Sequence, residues 1–318
     1  KTYYEFNPFV FKSQKISILT VHNILKDLKD FNETFTSVAR RYHVSPTSVS
    51  TIFDKHVDIG RNPLPEIINF DEVYAFKSEK SKYVCVLLDF KKQIPVDVLP
   101  NRKKEYLLNY FQKIPLEERK KVKYACSDMY EVYRDVVHKV FPSCCMLLDY
   151  FHLSQDFHRK MNEVRIKVMK GYKDNKASDE YYLLKKFNWL LFKNPEDEDK
   201  YGRLFDVERE RKYNSHFKSY MNYYDLRKKL LEINNDLTIC YSLKLELVDF
   251  YSKSTIDNAK VNLENLIRSC IDTNIDEMIA FSNNLINWKQ EIINSFRSSF
   301  YLCEQRAKVR ACTRPWRC

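Results

Sequence analysis

Glycine is almost missing from this chain: Gly60, Gly171 and Gly202 are the only three in 318 residues, where an average protein carries about 7%. No G-x-G-x-x-G fingerprint and no Walker-type loop can be written with three such scattered residues. That excludes the usual phosphate cradles of dinucleotide- and NTP-dependent enzymes. The cysteines, at 85, 126, 144, 145, 240, 270, 303, 312 and 318, contain no C-x-x-C pair, so no structural zinc site is expected. Several sit in apolar runs, where cysteine acts as a small hydrophobe. Their odd number and lack of framework spacing point to a reducing compartment. No apolar run approaches the ~18 residues of a membrane span, and no signal-peptide pattern opens the sequence. Beginning at Lys1 rather than Met, the sequence reads as a fragment or a processed chain.

What is present suffices for folded domains. Hydrophobic residues make up 44% and aromatics 14%, so real cores are expected rather than wholesale disorder. The length predicts two or three domains. The net charge is +11 and the pI about 9.0. This surplus favours a polyanionic partner, most often nucleic acid. The plainer explanation is a lysine-rich, AT-biased composition.

Residues 18–58 predict three helices, with Ile18, Val21, Ile24, Leu25 and Leu28 at helical spacing. A short helix then ends at Tyr42–Val44. Ser45 is placed to cap the next helix and Pro46 to open it. Small Ala39 suits a close crossing, which Val44, Val49 and Ile52 would seal. The pattern is that of a helix-turn-helix with residues 46–56 as recognition helix. Thr47, Ser48, Ser50 and Thr51 are candidates for groove contacts, and Arg40, Arg41 and Lys55 for phosphates. The alternative is a small helical bundle with no DNA role. This gives a DNA-binding domain over 1–60, ending in the breaker cluster Gly60-Arg61-Asn62-Pro63-Leu64-Pro65.

Strand patterns follow at 66–75, 82–90, 93–99, 122–128 and 144–149, with helices expected at 103–113 and 129–141. Three strands in a meander, then helix, strand, helix, strand, is the order of a ribonuclease-H-like mixed sheet, expected over 65–152. Strands one and four neighbour each other in that order. Asp71 closes an apolar run on the first and Asp128 on the fourth. A carboxylate on a buried strand is costly unless a metal or hydrogen-bond partner compensates it. Two brought side by side suit divalent cations and phosphodiester chemistry. The competing roles are a turn cap for Asp71 and a helix N-cap for Asp128. Glu72 alternates to the opposite face, giving an exposed residue or a fold-specific contact. Asp89 reads as a turn residue. From 153 to about 302 strand signals vanish and an all-helical region is expected. Residues 255–270 should carry a face of Ala259, Val261, Leu263, Leu266 and Ile267, and 275–296 repeats the pattern. Residues 194–200 read as a solvated loop. His138, His158 and His216 fall in helical stretches with no partner pattern. Lys103, Lys104, Arg119, Lys120, Lys121 and Lys123 read as a solvated face or as the lining of a DNA groove.

The ordered motifs Asp71-Glu72, Asn101-Arg102, Ser127-Asp128-Met129, Phe141-Pro142 and Asp149-Tyr150-Phe151-His152 resemble those of the ISL-three family of bacterial insertion-sequence transposases. The resemblance spans roughly residues 30–300. It implies a DDE transposase on a ribonuclease-H-like core, two Mg²⁺ (or Mn²⁺) ions, and double-stranded terminal inverted repeats as partner. It also implies a homo-oligomer on DNA and a cytoplasmic, nucleoid-associated location. Asp71 and Asp128 match the family's first two acids, and Asp149 with His152 its D-x-x-H element near the site. Two departures stand out. The family's N-terminal zinc ribbon is absent, and the third acid, expected in an Asn-Gly-x-x-Glu-like stretch, is not found. Glu291 and Glu304 are the only nearby acids, and residues 303–318 turn arginine-rich. That tail reads as aberrant, by frameshift or truncation, so the third acid is unknown and weak or absent strand transfer is expected. The rival functions are a DNA-binding remnant that cannot cut, and a helical structural or regulatory protein.

Overall fold

The computed structural model describes residues 8–10, 15–30, 32–57, 60–74 and 82–297. The expected tail 303–318, with Glu304, lies outside them. The chain forms two compact units, Lys1–Arg61 and Asn62–Cys318.

The first unit holds three helices, α1 (Ile18–Asp27), α2 (Phe35–Arg41) and α3 (Pro46–His56). Each begins on a hydroxyl that accepts an otherwise orphaned backbone N–H: Ser17 from Thr20 at 3.1 Å, Thr34 from Ser37 at 3.1 Å and Ser45 from Ser48 at 3.0 Å. Val21, Ile24, Val38, Ala39, Val49 and Ile52 form the core, and Val44 packs against it. The α2–α3 turn closes when the Val44 N–H donates to the Ala39 carbonyl at 3.0 Å. It requires a left-handed residue, and His43 takes that place at φ 54°, a position that glycine fills more cheaply.

The second unit opens with β1 (Ile67–Tyr74), β2 (Tyr83–Asp89) and β3 (Ile94–Leu99). After α4 (Lys104–Gln112) and the single turn α5 (Leu116–Arg119) come β4 (Tyr124–Ser127), α6 (Glu131–Val140) and β5 (Cys145–Leu148). The strands form one sheet in the order β3-β2-β1-β4-β5. The first three are antiparallel, while β1, β4 and β5 run parallel. Side chains alternate faces along each strand. Ile68, Phe70, Leu87, Ala125 and Met146 lie under α4 and α6, packed on Phe111, Tyr133, Val136 and Val137. Ile67, Cys126 and Leu147 fall on the other face with Phe90 in a smaller cluster.

The remainder is mainly helical: α7 (Tyr150–Lys170), α8 (Asp179–Lys186), a 3₁₀ turn (Asn188–Phe192), α9 (Tyr223–Glu232), α10 (Asn235–Lys253), α11 (Ala259–Asp272), α12 (Asp276–Asn287) and α13 (Lys289–Asn294). These helices share one large core including Phe157, Leu247, Phe281 and Trp288. The expectation of no strands after residue 153 is corrected by two hairpins, β6 (Glu198–Asp199) with β7 (Gly202–Arg203), and β8 (Lys212–Asn214) with β9 (Ser219–Met221). Strands of two or three residues are too short to show a period of two. The stretch 194–200 is solvated as expected except at Asp197, which is buried within 3.7 Å of the Lys193 ammonium. Nearby Lys244 is itself buried, donating to the carbonyls of Leu191 and Lys193. Burial pushes its pKa down to about 7. Val261, placed on the buried face of α11 by its pattern, is exposed. The helix expected over 275–296 breaks at Trp288, and His216 lies beyond the end of β8 rather than on a helix.

Both edges of the sheet are occupied by side chains or backbone from outside it. On β5 the Asn294 amide donates to the Met146 carbonyl at 3.0 Å, and the Ser295 hydroxyl to that of Leu148 at 3.3 Å. On β3 the Asn62 N–H donates to Val96 O at 2.9 Å and its amide to Pro95 O at 2.8 Å.

Candidate active site

The parallel ladder sets the site. Ile67 pairs with Tyr124, Ile68 with Ala125 and Asn69 with Cys126. Continued two residues, that register brings Asp71 opposite Asp128. The β4–β5 register runs from Tyr124/Cys145 to Ser127/Leu148, and the Asp149 N–H donates to Ser127 O at 3.0 Å, so Asp149 comes level with Asp128. By the period of two, all three aspartates share the sheet face of Ile67, Cys126 and Leu147. Asp128 and Asp149 directly follow the C-terminal ends of β4 and β5, and Asp71 lies inside β1, two residues past the end of its pairing with β4. This is the end at which open α/β sheets bind ligands.

Their local bonds differ. One Asp71 oxygen accepts from the Glu72 N–H at 2.7 Å. One Asp128 oxygen accepts from the Tyr130 N–H at 3.1 Å, just ahead of α6. Asp149 is buried and caps α7, accepting from the Phe151 N–H at 3.0 Å. His152 follows in the first turn of α7.

Electrostatics single out Asp128. Burial pushes its pKa up, the Glu72 carboxylate adds to that, and Asp71 contributes further in the same direction. Nearby His152 and the Tyr130 N–H oppose the rise. Negative groups thus crowd an incompletely solvated carboxylate, an arrangement that a cation would relieve. Among the described residues, no three or more His, Cys, Asp or Glu side chains converge as a complete metal cluster. The donors that fit a hard divalent ion are the Asp71 and Asp128 carboxylates, and carboxylate oxygens with retained water are what magnesium prefers.

Glu72 makes the fold-specific contact that its parity allows. It pairs with Arg102 and accepts from the Tyr133 hydroxyl at 3.0 Å. The Arg102 guanidinium lies between the rings of Tyr83 and Tyr130, 4.4 and 4.7 Å from their centroids. Sequence reasoning assigned Arg102 no role. The available signal was its place in the Asn101-Arg102 motif.

Glu291 is buried in α13, with a carboxylate oxygen 3.9 Å from Arg134. Burial raises the Cys145 thiol pKa, and Glu291 adds to it. That puts Glu291 near the beginning of β5, four residues before Asp149. The surface charge run is largely internally satisfied: Lys104 pairs with Asp135, Lys120 with Glu117, Lys123 with Glu66, and Arg119 donates to Val140 O at 2.7 Å.

In the helical unit Arg40, Arg41, Thr47, Thr51 and Lys55 are exposed. Ser48 and Ser50 are half-buried. The Arg41 guanidinium bridges Asp27 and Glu33. The Thr51 hydroxyl donates to Thr47 O at 2.9 Å.

Residues 68–302 match the model of a transposase family, the DDE transposases of the ISL-three type. No curated protein matches the chain. No described helix is long and apolar enough to cross a membrane.

Proposed function

The chain belongs to the ISL-three-type DDE transposases, and from that membership we propose that it acts on insertion-sequence ends by metal-dependent cleavage, with Asp71 and Asp128 as its metal-holding acids on a ribonuclease-H-like core and with strand transfer impaired for want of a third acid. The observation that supports the reading is the register of β1, β4 and β5, which, continued past its last paired residues, would bring both carboxylates onto one face of the sheet. The strand order and the raised pKa of Asp128 support it. Two divalent ions, when bound, supply activation of the attacking oxygen and stabilisation of the leaving one. The chain's own part is to hold the carboxylates in place. The Glu72 and Tyr130 backbone N–H groups orient one oxygen of each acid. Asp149 fixes the start of α7, and through it His152, beside Asp128. Arg102 and Tyr133 hold the Glu72 carboxylate beside this pair by an ion pair and a hydrogen bond of its own.

A non-catalytic remnant is the second reading. It is favoured by the pairing of Glu291 with Arg134, which leaves no third acid assigned among the described residues. Nicking of terminal-inverted-repeat DNA in Mg²⁺ or Mn²⁺ separates the two. The proposal expects metal-dependent nicking by the full chain and none by Asp71→Ala. Metal-dependent nicking unchanged in Asp71→Ala would remove the site assignment, whereas end binding without nicking would leave the remnant.

Binding of those ends is assigned to α2 and α3, with Thr47, Ser48, Ser50 and Thr51 toward the bases. Arg40 and Lys55 are the phosphate contacts that carry no internal ion pair among the described residues, while Arg41 braces α2 through Asp27 and Glu33. Replacing both Arg40 and Lys55 by alanine is expected to lower the log–log salt slope of duplex binding by about 2. Gel-shift titrations at several salt concentrations read this, and an unchanged slope places duplex binding elsewhere. Assembly of copies on paired ends belongs to the same proposal.

A further inference from the structure

The two hairpins interrupting the helical region carry a surface that the catalytic reading does not use. The first is a tight turn in which Lys200-Tyr201 joins β6 to β7. Asp199 pairs with Gly202, whose φ of 97° suits glycine. The Tyr201 N–H is held by the Asp199 carboxylate at 2.8 Å, so the ring is presented at the tip and is 68% exposed. Three cations surround it: Lys200 at 4.6 Å, Lys212 at 5.9 Å and Arg209 at 6.0 Å from its centroid. In the second hairpin Tyr213 and Tyr220 pair across the strands with ring centroids 5.4 Å apart, and they are 58% and 69% exposed.

A cavity of about 320 Å³ lies between this pair of hairpins and α8, lined among others by Tyr182, Lys186, Tyr201, Arg209, Lys212 and Tyr213. Of the acids in its wall, Asp199 is neutralised by Arg209 at 2.6 Å, and Glu210 remains. Lys186, Lys200 and Lys212 have no carboxylate partner among the described residues. Exposed tyrosines would gain by burial, yet lysines around their rings disfavour an apolar protein face. Flat rings flanked by unpaired cations match the two needs of an unstacked nucleotide, a π-surface for the base and positive charge for the phosphate.

We propose that this hairpin surface binds unpaired DNA nucleotides, with Tyr201 as the stacking platform, Tyr213 and Tyr220 as a second one, and Lys200 and Lys212 on the phosphates. Duplex bases are already stacked on one another and cannot use the rings. The surface therefore takes single strands or frayed ends, which cutting of a DNA end would generate. The proposal rests on the transposase reading only for the choice of DNA over other nucleic acids.

The test is fluorescence anisotropy of the full chain with a labelled dT oligomer of about 12 nucleotides, within the site sizes of single-strand binders. Tyr201→Ala is expected to weaken binding by about tenfold, with Tyr201→Trp retaining it. Lys200→Ala and Lys212→Ala should each lower the log–log salt slope by about 0.7. Tyr201 is exposed, so an unchanged melting temperature certifies the fold of its variants. The Arg40/Lys55 double alanine variant should keep its single-strand affinity. Single-strand affinity that follows Arg40 and Lys55, or that is unmoved by removing all three tyrosines, overturns the proposal. So does tighter binding of an rU oligomer of equal length. Loss of nicking in Asp71→Ala with dT binding intact would support the hairpin site, and failure of nicking in every variant would count against the catalytic reading alone.

Discussion

Asp128→Asn should abolish metal-dependent nicking and at the same time raise the melting temperature of the metal-free protein. Loss of activity is expected at about 10³-fold or more, the scale on which one member of a catalytic unit acts. The stability gain follows from the raised pKa. Burial, Glu72 and Asp71 all disfavour the charged form of Asp128. A carboxyl whose folded pKa lies above its unfolded value, about 3.9, contributes its stability below that value. The contribution is lost as pH rises through the folded pKa. At neutral pH the wild-type chain therefore carries the unfavourable ionised form, and asparagine removes it. The melting temperature should rise by roughly 2–4 °C for each kcal/mol relieved, and the difference should shrink toward pH 4. Millimolar Mg²⁺ should stabilise the wild type by mass action and the variant less. Melting curves from pH 4 to 8, with and without the ion, read all three effects. A variant that is destabilised at neutral pH, or that still nicks, would falsify the assignment of Asp128.

Trp288→Ala carries the largest expected stability loss. The side chain is almost fully buried at the break between α12 and α13. The Arg134 guanidinium of α6 covers its ring at 4.3 Å and also donates to Asn287 O at 3.0 Å. The residue thus ties the helical core to the helices on the sheet. Truncation of a buried tryptophan costs about 3–5 kcal/mol, a fall of roughly 6–20 °C in a domain of this size. Arg134→Ala should cost less, since it leaves no large void, although it forfeits a cation–π contact of about 0.5–2 kcal/mol, the hydrogen bond to Asn287 O and the 3.9 Å pairing with buried Glu291. Circular-dichroism melts of both variants test the ranking. Equal losses would mean that the ring matters only through Arg134.

What the sequence made legible follows from repetition. Periodic stretches showed α1, α11 and α12, the rest of the region after 153 was legible only as helical in general, and the Ser45-Pro46 start of α3 was readable because capping is local. The order of strands and helices was enough to predict that β1 and β4 would be neighbours, as they are. The hairpins β6–β9 were not legible, because a strand of two or three residues has no period. Their only local mark was Gly202 two residues after Lys200. Asp197 was misjudged because its neighbours in sequence are charged, while its neighbours in space are Lys193 and buried Lys244. Val261 shows the converse, an apolar residue in an apolar pattern that no partner covers. In the candidate site, the two proposed acids stand out in the sequence as carboxylates ending apolar runs. The role of Arg102 does not, because its contacts come from Glu72, Tyr83 and Tyr130, which only the folded sheet assembles.

The side chains of Asn294 and Ser295 along β5, and Asn62 along β3, have a bearing on assembly. Each gives hydrogen bonds to carbonyls that an incoming strand from another molecule would need. Growth of this sheet from chain to chain is thereby discouraged, which protects against fibrous aggregation. Any contact between copies of this chain would then run through helices or loops rather than through these two sheet edges.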